Sequence, residues 1–524
     1  MIRFALVLAL VLGAACGKSA EPAKPGVLHV RVTDGANGPP IAARVLLWIG
    51  DEPLHFGRRE LYDGKRQATG SCMLAGGALG TWDGLVLVYG DAELPVGGDD
   101  GCEPTPAIPL GTYRVWAWRG AEYERWEGSV SIGSGQKIDL NIPLARAWTP
   151  RGALAADLHV HAQASNDSGV PNRVRVMTEM AAGTQVIALS DHNSNGDLSA
   201  EIAALSVGDR VVSIPSNELG NDRLHLGVYP VTKDTSPTAE DVKDWDAGKM
   251  MAWGHAQTAR SLVQVNHPRF RVYSLFDSSG WNGVTWPPPF PLDFDAVEVL
   301  AGYTAFNAPK DRRIDEGVRD FYTLIGHGAL VAGVGNSDTH HLNGVHDALA
   351  RTYVFSDDPR VSPFDLDAFL RAIKTRRAIA TTGPWLDVEA VAVGARAPAG
   401  PGQAITAKGG HVELDVELDQ AAWCHADQIR VRVGKPDGSN EIVKTIAVAG
   451  AKAREHVIVE VGARDTWIGV DAGGDTPLPV EMTGTYQLEK GRPGVTPYAI
   501  INPILIDADG DGRVKFGNAD VGVE

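Results

Sequence analysis

Short polar clusters rich in histidine and aspartate recur between residues 151 and 384, and each follows an apolar run. This segment holds ten of the fifteen histidines, although it is less than half of the chain. The apolar runs alternate with helix-like segments such as NRVRVMTEMAAG, a rhythm that predicts βα units around a parallel sheet or barrel. Loops at the carboxyl ends of such strands share one face, so we expect the clusters to meet in space. The clusters are LAADLHVHA, VIALSDHN, VVSIPSNEL, HLGVYP, LVQVNHP and LVAGVGNSDTHH.

The first cluster places two histidines one residue apart. Side chains alternate along a strand, so Asp157, His159 and His161 are expected to point to the same side. Imidazoles and carboxylates together suit divalent metals such as zinc, manganese or iron. A single HxH pair is more often just two histidines on a half-exposed strand face than a metal site. The recurrence of such clusters at strand ends within one domain favours a metal site.

Short strand-like runs flank this segment on both sides. Runs such as VLHVRVTD and GTYRVWAWRG are separated by Gly, Pro and Asp and predict an antiparallel β-sandwich. Runs such as HVELDVELD and HVIVEVGA predict a second β domain. The expected parts are a leader at 1–26, a β-sandwich at 27–148, an α/β domain at 150–384 and a C-terminal β domain at 385–524.

The length of the chain argues against a single-domain protein, and its charge argues against a nucleic-acid-binding protein. At 524 residues the chain is too long for one ordinary hydrophobic core, so several domains are expected. Its formal net charge is -17, whereas nucleic-acid-binding proteins need a basic surface that displaces counterions from phosphates. We therefore expect a small-molecule partner and no nucleic acid.

The first 26 residues resemble a bacterial export signal. One arginine precedes an apolar run, Phe4 to Leu12, that is too short to span a membrane. Small residues and Cys16 follow, as in lipoprotein signals, in which the cysteine becomes the lipidated first residue. Ordinary cleavage after GAA, with Cys16 left as a thiol, is the alternative. We expect an exported bacterial protein, periplasmic or at the cell surface, that is held to a membrane only by this lipid anchor.

Three cysteines remain in the body of the chain: Cys72, Cys102 and Cys424. In an oxidising compartment we expect a disulfide between Cys72 and Cys102. None of the three lies in a CxxC pair, which argues against a cysteine-rich zinc site.

The ordered motifs DLHVHAQASNDS, ALSDHN, IPSNEL, QVNHP and GNSDTHH resemble those of the PHP (polymerase and histidinol phosphatase) superfamily. The resemblance covers residues 155–384. The flanking sandwich and the phrases RRAIATTGPWL and INPILIDADGDG are similar to the CehA/McbA-like branch, the carbaryl-hydrolase-like metallohydrolases. The sandwich itself resembles carboxypeptidase-regulatory or transthyretin-like domains. The resemblance implies a distorted (β/α)7 barrel with two or three metal ions at its mouth.

The superfamily pattern also implies a set of ligands, in which Glu218 bridges two metals. Asp167 stands where some family members have histidine, so the third site is expected to be weaker or to select a different metal. The implied ligands are His159, His161, Glu218 and Asp338 for the first metal, Glu218, His225 and His267 for the second, and Asp167, His192 and His340 for the third.

Three further residues are expected to assist the ligands. Asp191 directly precedes His192 and faces the other way on an extended segment, which suggests a supporting or proton-transfer role. Asp157 is expected to orient the histidine pair from behind. Arg269, in NHPRFR, is expected either to bind an anionic substrate oxygen or to form a surface ion pair.

A loop rich in aromatic residues and proline, RFRVYSLFDSSGWNGVTWPPPFPLDFD, follows one of the ligand strands. We expect it to act as a lid or pocket wall, with Trp281 and Trp286 offering an apolar face to an aryl group. Packing against the flanking β domains is the alternative.

The segment DADGDGRVKFGN carries a second metal signal. Asp507, Asp509 and Asp511 occupy positions one, three and five of a calcium-loop pattern, with Gly512 at the turn. Asn518 occupies the twelfth position, where the pattern has a bidentate glutamate. An Asp/Gly-rich turn without an ion is therefore the alternative.

These features together predict an enzyme. Two neighbouring divalent ions lower the pKa of a shared water to about 7 and so supply hydroxide as the nucleophile. The sequence has no GxSxG motif, so a serine nucleophile of that type is not expected. We expect a metal-dependent hydrolase of an ester or carbamate. A phosphoesterase and a non-catalytic surface binding protein are the alternatives.

Overall fold

The computed structural model describes residues 26–56, 71–74, 77–82, 84–96, 108–232, 236–285, 291–393, 395, 397–408, 410–492 and 494–523. Strands make up 41% of the structure and helices 15%, which confirms the predicted mixed α/β class. Cys16, Cys102 and Trp286 lie outside the described residues. Within these ranges no helix is both long and apolar enough to cross a bilayer.

The N-terminal domain is built from two sheets that share a core. Its strands are β1 (Gly26–Asp34), β2 (Ala43–Ile49), β3 (Glu52–Pro53), β4 (Cys72–Met73), β5 (Ala78–Thr81), β6 (Gly84–Leu87), β7 (Asp91–Val96), β8 (Gly111–Trp118), β9 (Trp126–Ile132) and β10 (Lys137–Leu144). One sheet has the order β10-β1-β7, and the other has the order β4-β5-β6-β2-β8-β9, with β3 on β2. Alternate residues of β1, among them Leu28 and Val30, are buried between the sheets against Val45 and Val115. Cys72 is disulfide-bonded.

The middle domain alternates strands and helices. Its elements are β11 (Ala153–Val160), α1 (Asn172–Ala181), β12 (Val186–Leu189), α2 (Ser199–Ala204), β13 (Val212–Pro215), β14 (Asn217–Gly220), β15 (His225–Tyr229), α3 (Ala239–Val242), α4 (Ala247–His255), β16 (Leu262–Val265), α5 (Leu275–Ser278), β17 (Ala296–Ala301), a 3-10 turn (Gly302–Thr304), β18 (Asn307–Ala308), β19 (Asp311–Arg312), α6 (Arg313–Gly326), β20 (Ala332–Asn336), β21 (Arg351–Phe355), α7 (Leu366–Lys374) and β22 (Ala378–Thr381). Every residue of β11, β12, β16 and β17 is buried, as in sheets that are covered on both faces.

The C-terminal part consists mostly of strands. Its elements are β23 (Trp385–Val391), β24 (Ala404–Thr406), β25 (His411–Asp419), β26 (Gln428–Gly434), β27 (Asn440–Ala447), β28 (Lys452–Glu460), β29 (Thr466–Gly473), α8 (Val480–Thr483), α9 (Tyr486–Glu489), β30 (Tyr498–Ile501), β31 (Ile504–Asp507), β32 (Arg513–Phe516) and β33 (Ala519–Gly522). The order β23-β25-β28 forms one antiparallel sheet. Alternate residues of β25, including Val412 and Leu414, pack against a larger sheet.

The strands of the middle domain fall into two larger sheets and the separate pair β18-β19. In one, β11, β12 and β13 are parallel, and in the other the order is β14-β15-β16-β17-β20, with β16, β17 and β20 parallel. Single bridges, Val160 to Thr339 and His192 to Glu218, link segments at or beyond the ends of strands in the two larger sheets. Because these links are isolated bridges and not ladders, the described strands form open sheets, and the predicted (β/α)7 barrel is not confirmed.

The sheet that contains β11 continues into the C-terminal part. It is the largest sheet of the described residues, with eleven strands, and its main path is β13-β12-β11-β21-β22-β30-β29-β26-β27. The junction is the antiparallel pair of β22 and β30. The side chain of Asn502 stabilises this junction. It accepts from Gly333 N at 2.7 Å and donates to the carbonyls of Gly333 and Ala378 at 3.0 Å. The sheet thus crosses the predicted domain boundary at residue 384.

Candidate metal centre

The polar side chains at the strand ends of the middle domain meet in one cluster. All nine residues that the sequence predicted as ligands belong to groups whose ligand atoms lie within 4.8 Å of one another. They come from β11, β14 and β15 and from the loops that follow β11, β12, β16 and β20. The convergence follows from the parallel strands, whose carboxyl ends share one edge. The nine residues are His159, His161, Asp167, His192, Glu218, His225, His267, Asp338 and His340.

Glu218 lies at the centre of this cluster and is fully buried. Its two carboxylate oxygens lie between 2.8 and 3.4 Å from ring nitrogens of five histidines. Burial alone would raise the pKa of Glu218, but the charges of neighbouring histidines hold it well below its ordinary value. Glu218 is therefore an ionised carboxylate whose two oxygens can serve more than one metal site. The five histidines are His159, His161, His192, His225 and His267.

The histidines of the HxH pair face each other. His159 Nε2 and His161 Nε2 are 3.0 Å apart, and both lie within 3.2 Å of Asp338 Oδ1. Burial and the neighbouring histidines lower the pKa of His161 well below its ordinary value, so its ring is neutral, which is the form that binds metals. Two imidazole nitrogens and a carboxylate oxygen at these distances are suited to a shared cation.

Several buried atoms of the cluster lie close to a ring nitrogen or carboxylate oxygen but make no well-directed hydrogen bond among the described residues. They include Glu218 Oε2, Asp338 Oδ1 and His225 Nδ1. Buried polar atoms are nearly always paired with protein, water or an ion, so an orphaned group of this kind needs an explanation. The chemistry of the donor set, imidazoles and carboxylates, fits divalent transition metals.

The three residues of the predicted third site lie close together, and a fourth residue joins them. Asp167 Oδ2 lies 3.2 Å from His340 Nε2 and 3.3 Å from His192 Nε2. His161 joins these three residues in the same group. The carboxylate of Asp167 therefore reaches the position that the implied ligand set requires of it.

The other two predicted sets are grouped differently. His159 and Glu218 form one group with His161, whereas Asp338 forms a group with His159 and His267. The group that contains Glu218 and His225 includes His192, not His267. The residues are those of the predicted sets, but the groups overlap, because Glu218 and His159 lie in the middle of the cluster and each belongs to two groups.

Glu298, in β17, supports the cluster from behind and was missed in the sequence. Its Oε1 lies 2.9 Å from His159 Nδ1 and accepts from Asn336 Nδ2 at 2.9 Å, while its Oε2 accepts from His267 N at 2.6 Å. A carboxylate on Nδ1 holds the proton there and leaves Nε2 free for a metal. The one available signal was a lone glutamate in the apolar run AVEVLA.

We expect Glu298→Gln to weaken metal binding by roughly 10- to 100-fold, the usual cost of losing a carboxylate that orients a ligand. The amide keeps the shape of the side chain but loses the charge that holds the His159 proton. Metal affinity is measured by competition with a chelator. Glu389→Gln, at an exposed position of β23, is the control and should bind metal like the wild type. Wild-type affinity in Glu298→Gln would contradict this role.

Asp157 and Asp191 accept hydrogen bonds from the backbone and do not occupy metal-ligand positions. Asp157 Oδ1 accepts from Ser337 N at 3.1 Å and Oδ2 from Ala348 N at 3.0 Å, so it fixes both ends of the loop that carries Asp338. Burial raises the pKa of Asp157 to about 7. Asp191 Oδ1 accepts from Ala162 N at 2.7 Å, and burial raises its pKa as well. Both carboxylates therefore shape the ligand loops, which agrees with a supporting role for each.

Arg269 is committed to protein partners. It donates to Asp320 Oδ2 at 2.6 Å, to Asp277 Oδ1 at 3.0 Å and to the carbonyl of Trp281 at 3.0 Å. Of its two expected roles, the structure thus shows the ion pair, and we assign it no substrate oxygen. Trp281 is 3% exposed and packs in the core beside Phe276, so it presents no face to a substrate.

A cavity of about 340 Å³ opens onto this cluster of histidines and carboxylates. Aromatic residues Phe270, Tyr273 and Tyr303 line it, and the ring of Tyr273 stacks on that of His225 at 5.0 Å. The volume lies in the range of small-molecule sites. The predicted aromatic wall therefore exists, but these side chains form it in place of Trp281.

The Asp-rich turn differs from the calcium-loop pattern. Carboxylate oxygens of Asp507 and Asp509 lie within 4.8 Å of each other and of Asp465, which precedes β29. Asp511 instead forms an ion pair with Lys515. Asp465 also fixes the turn, since its carboxylate accepts from Ala508 N at 2.9 Å and from Lys515 N at 2.7 Å.

Comparison with known proteins adds no further assignment. No family model matches the chain, and a search of curated proteins gives no match. Inferences about its function therefore rest on the geometry of the cluster and on the resemblance of its motifs.

Proposed function

We propose that the chain is a metal-dependent hydrolase that cleaves an ester or carbamate bond of a small molecule. The observation that carries the proposal is the convergence of nine imidazole and carboxylate side chains around Glu218 beside an open cavity. Such clusters in a cavity are characteristic of catalytic metal sites. Two or three divalent ions, of zinc, manganese or iron, would occupy it.

The division of labour follows from the contacts. Divalent ions held by these residues would supply Lewis acidity and would lower the pKa of a bound water to about 7. Glu298 on His159 Nδ1 and Ser165 Oγ, 2.8 Å from His161 Nδ1, fix the two rings with Nε2 towards the cluster. Asp157 holds the loop of Asp338 in register. The cluster is thereby preorganised, which lowers the cost of assembling it around a substrate.

We also propose membership of the PHP superfamily, with the two sheets of the middle domain as halves of a distorted (β/α)7 barrel. The bridges Val160 to Thr339 and His192 to Glu218 support it, since they connect the larger sheet to segments beside β20 and β14, the two edge strands of the five-stranded sheet. The ordered motifs of the sequence support it independently.

The cavity favours esters and carbamates over phosphate esters. Lys243 is the only lysine or arginine among the described residues that line it, and Lys243 is paired with Glu240. Arg351 is buried and donates to the carbonyl of Ala348 instead. A phosphate group gains most from arginines that are free to bind it in a bidentate manner, whereas the aromatic wall suits an apolar acyl or aryl group.

We propose that the protein is exported and anchored through Cys16. The disulfide of Cys72 supports export, because disulfides persist in oxidising compartments. Labelling with a radioactive fatty acid would test the anchor, and a Cys16→Ser variant should remain unlabelled.

Protein purified without a chelator is expected to carry two or more transition ions per chain. It should hydrolyse p-nitrophenyl acetate and 1-naphthyl N-methylcarbamate, lose this activity on chelation and regain it with zinc or manganese, because the hydroxide depends on the metal. Release of p-nitrophenol or naphthol gives the rate. Hydrolysis of only p-nitrophenyl phosphate or its bis ester would replace the proposal with a phosphoesterase. If metal-loaded protein hydrolyses none of the four, both the ester or carbamate proposal and the phosphoesterase alternative fail.

A further inference from the structure

The N-terminal sandwich reaches the metal-bearing loop through one ion pair. Arg44, in β2, donates through Nη2 to Asp347 Oδ2 at 2.7 Å. Both side chains are almost completely inaccessible to solvent. An ion pair is screened little when it is buried, so this contact couples the two domains electrostatically.

Arg175, in α1, binds the other oxygen of the same carboxylate. Its Nη1 donates to Asp347 Oδ1 at 2.5 Å. Its Nε donates to the carbonyl of His161 at 2.9 Å, and its Nη2 lies 3.4 Å from the carbonyl of Thr339. Thr339 lies between the ligands Asp338 and His340. One guanidinium therefore connects Asp347 with two backbone segments that carry metal ligands.

Asp347 lies near the far end of the loop that begins with these ligands. Thr339 Oγ1 donates to the carbonyl of Val345 at 2.7 Å, which closes the loop on itself, and the Asp157 carboxylate holds Ala348. A shift of Asp347 is thus transmitted to the backbone of Thr339. The ligand positions at one end of the loop depend on what holds the other end.

Among the described residues, Arg44 is the one donor to Asp347 Oδ2. Burial raises the pKa of Asp347, but Arg175 and Arg44 lower it below its ordinary value, so the carboxylate is ionised. Without Arg44, one oxygen of a buried anion loses its partner, which costs free energy until the loop moves.

We propose that Arg44 is a positioning residue through which the N-terminal sandwich sets the metal affinity of the group His161, Asp167, His192 and His340. The inference rests on the proposed metal centre. The route is Arg44 to Asp347, then Arg175, then the backbone of His161 and Thr339. The sandwich is on this view part of the metal centre, although none of its described residues belongs to the ligand groups.

The test compares metal binding in Arg44→Met and Arg114→Met. Arg114 lies in β8 of the same sandwich, and its guanidinium stands over the rings of Trp48 and Trp116. We expect Arg44→Met to bind its weakest ion about tenfold less tightly than the wild type, at the lower end of the usual effect of outer contacts. Arg114→Met should bind like the wild type. Chelator competition gives the affinities, and the absorption spectrum of the Co²⁺-loaded protein reports altered ligand geometry.

Two further variants sharpen the result. Arg44→Lys keeps a cation within reach of Asp347 and should recover most of the lost affinity. If Arg44→Met does not fold, as judged by circular dichroism, Arg44→Gln takes its place with the same expected loss. Wild-type affinity and Co²⁺ spectrum in the charge-deleted variant, equal loss in Arg114→Met, or no recovery in Arg44→Lys would each overturn the inference. A wild-type protein that binds no metal would instead overturn the proposed metal centre.

Discussion

Replacing Glu218 with glutamine is expected to lower both metal affinity and ester hydrolysis by more than the roughly 100-fold that marks the upper cost of losing an outer contact. Glu218 is the one carboxylate of the cluster that approaches five histidines, so its charge is shared among every group of ligands around it. Glutamine has nearly the same shape but offers a neutral oxygen and an amide that repels cations. Metal content per chain and the initial rate of p-nitrophenyl acetate hydrolysis are measured together.

Glu460→Gln serves as the matched control, because Glu460 lies at the exposed end of β28 in the C-terminal part. It should keep the metal content and the rate of the wild type. If Glu218→Gln retained both as well, Glu218 would not be a ligand. If it retained the metals but lost the rate, the carboxylate would act on the substrate and not on the ions.

Asp347→Asn is expected to destabilise the protein by about 3 to 5 kcal/mol, the usual cost of breaking a buried ion pair by removing one partner. The change leaves the guanidiniums of Arg44 and Arg175 buried without a counter-charge. Unfolding by urea, followed by circular dichroism, gives the free energy. Asp520→Asn is the control, since Asp520 pairs with Arg513 at the surface, where ion pairs contribute little. Equal stability of the two variants would contradict a structural role for the buried pair.

The pH dependence of this difference has a definite sign. The arginines lower the folded-state pKa of Asp347 despite its burial, so its contribution to stability is complete above the ordinary value of 3.8. It is lost as the pH falls through the lowered pKa of the folded state. The gap in stability between wild type and Asp347→Asn should therefore be constant near neutral pH and narrow in acid.

The candidate ligands and two of their supports, Asp157 and Asp191, could be predicted from the sequence, whereas the other supports could not. His159, His192 and Asp338 each follow an apolar run, and the geometry of parallel strands brings such positions together whatever the details of the fold. Glu298 lies inside a strand, where a single acidic residue does not reveal which ring nitrogen it will face. Arg44 and Asp347 are 303 residues apart, and no local pattern reports a contact of that kind.

The roles of some side chains could not be predicted from the sequence because two different roles suited them equally well. Arg269 looks the same in a sequence whether it binds substrate or Asp320, and only the positions of α5 and α6 decide between them. Trp281 follows the same logic, since its large apolar surface is as well suited to a core as to a cavity. The type of a residue shows which roles it can play, but its neighbours in the fold determine which of these roles it plays.

The continuous sheet from β11 to β27 limits how such a protein can evolve by recombination. A gene fragment that encoded only the histidine-rich segment would leave the edge of β22 without β30, exposing a ladder of unpaired backbone groups that invites aggregation. Exchange between genes should therefore succeed only when the strands on both sides of that junction are inherited together. Related chains are expected to keep this pair of segments linked.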